Sequence, residues 1–554
     1  MKRLFWILPF LLLFSCNNYR ASRGPADWLY ISPTGNNTTG DGSSGNPWAT
    51  PAYAVTQASA GDTIFFQAGT YTISASVTVP VQVSLYSNVA AVCSAGGAVD
   101  AMFMLSSASE GTNGNQTISG LTFDGNDSTG YRAIAVIARS NVKIHDNTFQ
   151  NFYRAAIRYT GRVTGDGEPT TYATGNEIYD NTIIDCARDV WSTSYYSAGG
   201  AVEISGQSGM LIHGNYIDGG ARHGYGIKGV ANNGYHKGLK IYDNTVIMNT
   251  RHLAHSWNFA IELWSQRGGV EIYDNVIKGA IDLGGLDTND DGGYGYAAKI
   301  YRNNIGHDAL PSGGNIAGIA VELGQHGGLY IYQNRFHHVE VAINCQTTSQ
   351  DVVPGQNDIY IYYNIFHDLG LTSGAYTGKA LYFNAEGAYT STWDNIQFVN
   401  NTVYNPTKTG KTIMDCEDSG NTFTNIVFRN NICQGFYDVV KWDAGTVDTL
   451  SIENNLTYQV TNLYNLTGAT VTNSTIDNNI ITTAPAFQTN SLRLSSASPC
   501  INAGLSVGLT SDYFGHRVPQ QDTVDIGAHE YGDYLVKFGG KYLRDGNGKF
   551  KIIH

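Results

Sequence analysis

The sequence predicts a folded, exported all-β protein with a solenoid architecture. Three observations predict it: a glycine- and tyrosine-rich composition, a short phrase that recurs about every 30 residues, and period-two alternation within each phrase. Of 554 residues, 42% are hydrophobic, 12% aromatic and 14% charged, with 64 glycines and 36 tyrosines, which excludes a disordered or collagen-like chain. The formal net charge of −13 offers no basic face to a phosphate backbone, so nucleic acid is not an expected partner.

The amino terminus predicts export. A basic start, Met1 to Arg3, precedes the apolar run 4–14, which is too short to span a bilayer and has the form of a secretory signal. The run ends at Cys16 in a segment that resembles a bacterial lipobox, although Phe14 departs from the small residue usual there. We expect a lipoprotein signal peptide over 1–16, a tether over 17–27 and a lipid anchor on Cys16 in an outer-membrane, cell-surface or periplasmic protein. The alternative is ordinary signal cleavage near a chance cysteine.

The repeat is an apolar-x-x-Asn-x-apolar phrase, such as KIHDNTF, KIYDNTV and EIYDNVI. Its asparagines are Asn147, Asn181, Asn215, Asn244, Asn275, Asn303, Asn334, Asn364, Asn401, Asn430, Asn455 and Asn479. Because each phrase alternates apolar and polar residues, each repeat predicts a turn of strands. Stacked turns would place the asparagines at one corner, where they tolerate left-handed backbone and hydrogen-bond their neighbours. A parallel β-helix of about twelve or more coils fits best, since a propeller needs about 40 residues per blade and hairpin turns.

The two flanks of the repeats carry a family resemblance. The segments YISPTG (30–35), NPWAT (46–50), AGDTI (60–64) and AGTY (68–71) resemble the opening of secreted right-handed parallel β-helix proteins of the pectin-lyase-like superfamily. The segments SPCINAG (498–504) and DIGAHEY (525–531) resemble the closing segment of bacterial members. The resemblance implies a right-handed coil from about residue 28 to 531. The superfamily contains polysaccharide lyases, glycoside hydrolases, epimerases, adhesins and tailspikes, so the fold does not choose the activity.

These signals divide the chain beyond the tether into four parts. We expect an N-terminal cap with the first coils over 28–110, β-helix repeats over 111–482, C-terminal coils over 483–532 and a basic β-hairpin over 533–554. The hairpin alternates around the Asp-Gly-Asn-Gly turn at 545–548 and is expected to cap the open end of the rod. The scattered cysteines form no zinc pattern and predict no specific disulfide. The protein is expected to be monomeric.

A second recurring strand lies between the asparagine phrases and reads AAIRY, GAVEIS, YGIKG, FAIELW, GAIDLG, IAVELG and VAINC. Its flanking aliphatic residues point inward, so the residue between them points outward. Successive turns would stack these outward residues in one column: Arg158, Glu203, Lys228, Glu262, Asp282, Glu322 and Asn344. Neighbours in such a column lie roughly 5 Å apart, a spacing suited to one or two sugar units. The alternative is a solvated charge ladder without chemistry.

Aromatic and basic residues near the column favour a glycan partner. Trp264 follows Glu262 by two residues and would share its outward face as a surface for sugar stacking. The nearest turns add further basic and aromatic residues: Arg222, His223, Tyr225, Tyr235, His236, Arg251, His252, His255 and Trp257. In an acidic protein this local positive charge favours an anionic polysaccharide. We expect substrate contacts from Arg158, Arg222, Tyr225, Trp257, Trp264, Glu322 and Asn344.

β-Elimination from a uronate polymer is the leading chemistry. It needs a base beside the sugar carboxylate and a cation to neutralise that carboxylate. Lys228 is the candidate base, although Glu203 and Glu262 would keep it protonated unless a cation such as Ca²⁺ occupies them. His223, His252 or Tyr225 are replacements, and Arg251 adds positive charge to the site. The superfamily resemblance implies lysine or arginine bases and Ca²⁺ held by acids.

Two other functions remain open. A glycoside hydrolase would use paired carboxylates on the same face, Glu262 with Asp282 or Glu203 with Glu262. A surface adhesin or glycan-binding module would need only Trp264 and the tyrosines. The basic and aromatic residues favour the lyase over the hydrolase.

The segment DTNDDG (287–292) matches the first half of a calcium loop. Its ligands would be Asp287, Asn289 and Asp291, because alternate oxygens of such a loop wrap a hard cation. The twelfth position is Ala298 instead of glutamate. An acidic surface turn is therefore the alternative to a calcium site.

Overall fold

Nearly every segment in which apolar and polar residues alternate forms a β-strand, as predicted from the sequence. The computed structural model describes residues 27–97, 99–126, 132–163, 167–187, 199–220, 225–230, 233–248, 259–284, 293–308, 317–322, 328–347, 355–370, 378–385, 391–405, 410–417, 421–532, 537–538 and 541–542. Within these residues lie three long sheets of 16, 15 and 14 strands, and each strand pairs in parallel with the equivalent strand of the next coil. The fold is a right-handed parallel β-helix, as predicted.

Each coil visits the sheets in a fixed order, here named sheet 1, sheet 2 and sheet 3. The strands of sheet 1 are Trp28–Ile31, Thr63–Phe66, Ser84–Tyr86, Thr112–Ser119, Arg139–His145, Glu177–Tyr179, Leu211–His213, Lys240–Tyr242, Val270–Tyr273, Ala298–Tyr301, Leu329–Tyr332, Gly355–Tyr362, Thr392–Val399, Thr422–Arg429, Thr446–Glu453 and Thr470–Asp477. The strands of sheet 2 are Gly69–Ile73, Ala91–Ala95, Thr122–Asp124, Thr148–Gln150, Thr182–Ile184, Tyr216–Asp218, Thr245–Ile247, Val276–Lys278, Asn304–Gly306, Arg335–His337, Ile365–His367, Thr402–Tyr404, Ile432–Gln434, Leu456–Tyr458 and Ile480–Ile481. The strands of sheet 3 are Val77–Thr78, Phe103–Ser106, Ile134–Ile137, Ile157–Thr160, Gly200–Ile204, Tyr225–Gly229, Phe259–Leu263, Ala280–Gly284, Ala317–Glu322, Val341–Thr347, Lys379–Ala385, Gly410–Cys416, Phe436–Trp442 and Asn462–Asn465. Two short pairs complete the strands, Ala173–Thr174 with Gln207–Ser208 and Lys537–Phe538 with Lys541–Tyr542.

Inward side chains from all three sheets fill the coil. The isoleucine of one phrase stacks on that of the next, as Ile144 does on Ile178, and both are fully buried. On sheet 2, the rings of Phe123 and Phe149 stack with centroids 4.9 Å apart. The core is therefore a set of continuous apolar columns, and the inward half of each alternating phrase supplies them.

The predicted asparagine ladder forms the corner between sheets 1 and 2. In a typical coil, Asn181 Nδ2 donates to the carbonyls of Ile144 and Tyr179, each at 2.9 Å, and to Asn215 Oδ1 at 3.0 Å. The left-handed residue is the one before the ladder asparagine, as in Asp180 with φ of 52°. The ladder asparagine itself is buried, so its amide serves hydrogen bonding between coils instead of the turn conformation.

One predicted ladder position is wrong by a residue. Asn431, not Asn430, accepts from Asn401 and donates to Asn455 Oδ1 at 3.1 Å. Asn430 adopts the left-handed conformation with φ of 56° and donates to the carbonyl of Leu505. The phrase VFRNNIC contains two consecutive asparagines, and the inward position of Phe428 decides which one reaches the ladder.

A second ladder runs along the outside of sheet 1. It contains His145, Tyr179, His213, Tyr242, Tyr273, Tyr301, Tyr332 and Tyr362, whose rings stack in succession. The centroids of Tyr273, Tyr301 and Tyr332 lie 4.8 Å apart at each step, which gives the rise per coil along the rod. This regular spacing sets the distances between outward residues on the other sheets.

The two ends of the solenoid differ. Helix Pro51–Gln57, capped by the Thr50 side chain, packs against the first strands and buries Ala54 and Val55. Residues 483–532, expected as further coils, add no strand to the three sheets. They run back along the row of left-handed residues, where Tyr363 donates to Glu530 at 3.1 Å. The segment is irregular because its backbone bonds to the corner side chains instead of to a preceding strand.

At the carboxyl terminus, Lys537–Phe538 pairs in antiparallel fashion with Lys541–Tyr542. The predicted turn at 545–548 lies outside the described residues. Within the described part of the chain, no helix is long and apolar enough to cross a membrane.

Candidate functional site

The outer face of sheet 3 carries the predicted column. Register pairs Arg158 with Glu203, Glu203 with Lys228, Lys228 with Glu262, and Glu262 with Asp282. The next two members are Ala320 and Asn344. Successive side chains thus follow the 4.8 Å rise of the coils. The column is confirmed for six of its seven predicted residues.

Glu322 is the exception and lies in the neighbouring column. Asp282 pairs with Ala320, and Gly284 pairs with Glu322. The inward aliphatic residues of this strand are Ile319 and Val321, so Glu322 follows two residues after the column position. The phrase IAVELG has the same residue pattern as the other phrases, but the strand pairing places Ala320 in the column and Glu322 two residues beyond it.

Burial is the main difference from the sequence expectation. The carboxyl side chains point away from the coil interior, yet Glu262 is 6% exposed and Asp282 only 1%. Glu203 and Glu322 are also buried. A solvated charge ladder is therefore wrong, because in a solvated ladder these groups would lie in water. Buried charges of this kind need partners or a changed protonation state.

Glu203 is held by two arginines. The Nε atoms of Arg132 and Arg158 lie 3.7 Å and 3.6 Å from Glu203 Oε2. Arg132 also pairs with Asp100 at 2.5 Å. Arg132 was missed in the sequence because it precedes its strand and lies outside the repeated phrases.

Lys228 is bound to Glu262 and not to Glu203. Its ammonium forms an ion pair with Glu262 Oε2 and lies 4.1 Å from the centroid of the Tyr225 ring. Tyr225 begins the same strand and is buried. This ammonium donates to a carboxylate, so it does not offer the free amine that a general base requires.

Asp282 is the most perturbed acid of the column. Burial raises its pKa well above the ordinary value, and the negative charges of Glu322 and Glu262 raise it further. Its Oδ1 atom is buried without a hydrogen-bond partner. Burial also raises the pKa of Glu262, against the opposing effect of Lys228. Burial and the neighbouring acids therefore both favour the protonated form of the Asp282 carboxyl group.

Trp264 completes this cluster but is not an exposed platform. Its indole is half-buried and lies near the carboxyl groups of Glu262 and Asp282, where it lowers the pKa of each and so opposes the effect of burial. The ring lies over Gly284, where an added Cβ would meet Trp264 Cε2 at 2.9 Å. The glycine thus provides the space that lets the indole reach the acids.

Of the predicted basic and aromatic cluster, Tyr225 lies on this face beside Lys228, and the other described members are Tyr235 and His236. His236 is fully buried inside the coil, where its Cε1 lies 2.5 Å from a Cβ built on Gly229. Burial lowers its pKa to about 4. Tyr235 packs under Arg267, whose guanidinium lies 3.7 Å from the ring centroid. Both residues lie outside the strands of sheet 3, and His236 forms an isolated parallel bridge with Gln266.

The remaining predicted residues lie outside the described part of the chain. They are the basic and aromatic residues Arg222, His223, Arg251, His252, His255 and Trp257, the calcium ligands Asp287, Asn289 and Asp291, and the anchor Cys16.

A second charged cluster on sheet 3 was missed. The column continues from Asn344 through Tyr382 and Asp415 to Lys441. Lys379 begins the strand of Tyr382, and Glu417 follows directly after the strand of Asp415. The phrases ALYFN, TIMDC and VVKWD carry the same alternation as the seven phrases recognised in the sequence and could have revealed this cluster.

The acids that the superfamily resemblance assigns to Ca²⁺ do not fit that ion. Glu203 is paired with Arg132 and Arg158, and Glu262 with Lys228, so a cation at either would displace an existing ion pair. Among the described residues, Asp512, His516 and His529 alone bring three ligand atoms within 4.8 Å of one another.

The Asp512 group is better explained by hydrogen bonding than by a metal. Asp512 already accepts from the backbone amides of Phe514, His516 and Glu530 and pairs with the His516 ring at 3.0 Å. His529 Nδ1 accepts from the Leu494 amide at 3.0 Å. A neutral imidazole that accepts there carries its proton on Nε2, which leaves no nitrogen for a metal.

Comparison with known proteins concerns the fold. The family described as a protein of unknown function (DUF1565) matches residues 33–288. A search of curated proteins finds no match. Similar solved structures include XylC in complex with xylose, at 12% identity and a TM-score of 0.42, covering 93% of this chain and 99% of that one. A mutant tailspike protein of E. coli bacteriophage HK620 in complex with a pentasaccharide has 13% identity, a TM-score of 0.47 and coverages of 82% and 78%.

A rhamnogalacturonan lyase has 11% identity, a TM-score of 0.35 and coverages of 66% and 83%. At these identities the likeness concerns architecture and not activity. With three parallel sheets in register from the first coils to the last, the chain is a right-handed parallel β-helix protein, as its terminal motifs predicted.

Proposed function

We propose that the protein is an extracytoplasmic glycoside hydrolase that cleaves a polysaccharide on the outer face of sheet 3. The observation that carries the proposal is Asp282, a buried carboxyl group whose pKa is raised by burial and by the acids beside it. A protonated carboxyl group next to a carboxylate is the pair that glycoside hydrolysis requires. The lipid anchor predicted at Cys16 would present this face to glycans outside the cytoplasm.

In this proposal, Asp282 is the general acid and donates its proton to the glycosidic oxygen as the bond breaks. Glu262, on the preceding coil, acts as the base or nucleophile. The two residues are paired in register, and one coil step of 4.8 Å falls near the separation of paired carboxyls in glycosidases. Glu322 keeps Asp282 protonated through its negative charge, and Trp264 orients both carboxyl groups.

This proposal reverses the ranking of the two chemistries favoured by the sequence. Elimination requires Lys228 to accept a proton, but its ammonium group already forms an ion pair with Glu262. The preference for an anionic substrate rested largely on Arg222, His223, Arg251 and His252, which lie outside the described residues. Elimination is therefore the competing outcome in the test.

The test incubates the purified mature chain with acidic and neutral polysaccharides, with and without chelator. Reducing ends and the ultraviolet absorbance of unsaturated uronates are both recorded. We expect reducing ends without new absorbance. Asp282→Asn should lower kcat at least about 100-fold with glycan binding retained, because it removes the transferable proton. Activity should fall on the alkaline side as Asp282 ionises.

The matched control is Asp274→Asn, which removes a carboxylate that pairs with Arg302 on sheet 1. It should leave kcat unchanged. New ultraviolet absorbance that disappears in Lys228→Ala would instead establish elimination. Glycan binding without turnover across the panel would identify a binding module or adhesin and would end the enzyme proposal.

A further inference from the structure

The second cluster on sheet 3 is built around a buried lysine. Lys379 is 1% exposed, and its Nζ lies 2.7 Å from Asp415 Oδ2 and 3.1 Å from Glu417 Oε1. The same ammonium lies 3.6 Å from the centroid of the Tyr382 ring, and the Tyr382 hydroxyl donates to Glu417 Oε2 at 3.1 Å. These contacts hold the two carboxyl groups in fixed positions beside each other.

One oxygen of this cluster is left over. Asp415 is 1% exposed, and its Oδ1 atom is buried without a hydrogen-bond partner. The nearest cation on that side is Lys441, whose Nζ is 3.9 Å away and pairs instead with Asp443 at 2.5 Å. A buried carboxylate oxygen without a donor is costly, so a donor from an ordered water or from a ligand is expected at this position.

The cluster is open to solvent on one side. The side chains of Glu417 and Asp443 are 38% and 42% exposed, and that of Lys441 is 22% exposed. Solvent therefore reaches the groups that surround Asp415 Oδ1. A ligand at this edge would meet three carboxylates as acceptors and one ammonium as a donor.

The charges select the class of ligand. Three acids, Asp415, Glu417 and Asp443, stand against two lysines, and both lysines are already paired with these acids. The cluster therefore repels an added carboxylate or sulfate. A hydroxyl group suits it, because a hydroxyl can donate to a carboxylate and accept from Lys441.

We propose that the Lys379–Asp415–Glu417–Lys441 cluster is a second carbohydrate-binding site, which takes a neutral, hydroxyl-rich sugar unit with one hydroxyl donating to Asp415 Oδ1. Lys379 is a positioning residue that holds Asp415 and Glu417, and Asp443 borders the site. The column passes from Asp282 through Ala320, Asn344 and Tyr382 to Asp415. Four steps of 4.8 Å thus separate the two sites by about 19 Å. The second site requires no bond cleavage, so it stands or falls separately from hydrolysis at Asp282.

The experiment measures binding to the full mature chain by isothermal titration calorimetry. The probes are xylohexaose, cellohexaose and mannohexaose as neutral glycans and trigalacturonate as the anionic one. The variants are Asp415→Asn and, because Asp415 pairs with a buried lysine and its variant can fail to fold, the surface variant Asp443→Asn. Asp308→Asn is the matched control, since it removes the exposed acid of the Lys278–Asp308 ion pair on sheet 2.

We expect at least one neutral hexasaccharide to bind and trigalacturonate to bind more weakly at this site. Both Asp415→Asn and Asp443→Asn should weaken the neutral glycan about tenfold or more, while Asp308→Asn leaves that affinity unchanged. If no neutral glycan binds, or if both cluster variants bind it as tightly as the parent, the proposal is overturned. Tighter binding of trigalacturonate that depends on Asp443 would show that the ligand class is wrong.

Discussion

The asparagine ladder gives a quantitative prediction about stability. Asn275 lies in the middle of the ladder and is 1% exposed. Its Nδ2 donates to the carbonyls of Ile241 and Tyr273, each at 2.9 Å, and its Oδ1 accepts from the backbone N–H of Asn244 at 2.9 Å. Asn275→Ala would leave this backbone N–H of Asn244 buried without an acceptor and would remove one donor from each of the two carbonyls.

The expected cost follows from these contacts. A buried orphaned amide costs about 1–3 kcal/mol, and each lost hydrogen bond to a carbonyl costs about 1 kcal/mol. Asn275→Ala should therefore lower the free energy of unfolding by about 3–5 kcal/mol. The matched control is Asn479→Ala at the last rung, where the asparagine is only partly buried and water can replace part of the lost bonds. Its cost should be smaller, about 1–2 kcal/mol.

The assay is equilibrium urea denaturation followed by circular dichroism for the parent and both variants. The midpoint and the slope are both compared, because an altered slope would indicate a partly unfolded state. If Asn275→Ala costs no more than Asn479→Ala, the ladder does not stabilise the coil through buried hydrogen bonds. The reasoning about this corner would then be refuted.

Two further predictions concern buried histidines. His307 is 4% exposed, and burial lowers its pKa from 6.5 to about 4. As the pH falls below 6.5, His307 takes up a proton in the unfolded chain, whereas in the folded chain it does so only near pH 4. The free energy of unfolding should therefore decrease by about 3 kcal/mol between pH 6.5 and pH 4. Thermal melts at pH 7 and pH 4 should show a smaller loss for His307→Leu than for the parent, and equal losses would contradict this cause. Separately, Gly229→Ala should destabilise the fold by about 1–3 kcal/mol, because its Cβ would lie 2.5 Å from His236 Cε1. The double variant with His236→Ala should recover part of that loss in the melting temperature, and a purely additive pair would argue against the clash.

The repeat made the architecture predictable from sequence. Asn147 and its successors recur at the coil period, and the residues around them alternate at period two, which together specify strands that stack in parallel. The same alternation placed Glu203, Lys228, Glu262 and Asp282 in one outward column, and the register confirms them. These features are local, because each depends on a few consecutive residues and recurs from coil to coil.

Register errors arose where the local spelling was ambiguous. Asn430 and Asn431 both fit the ladder phrase, and only the core position of Phe428 distinguishes them. Glu322 fits the column phrase, but Ile319 and Val321 occupy the inward positions and move it by two residues. In both cases the packing of the side chains against the preceding coil decides which residue points inward. The sequence of a single repeat does not specify that packing.

By itself, the sequence determined the coil period, the asparagine corner and the direction in which each charged side chain points. The tertiary structure alone decided that Asp282 is buried with a raised pKa, that Lys228 pairs with Glu262, and that Lys379 pairs with Asp415. The physical reason is that direction depends on the pleat of one strand. Burial, ion pairing and pKa depend on distant parts of the chain that fold against that strand.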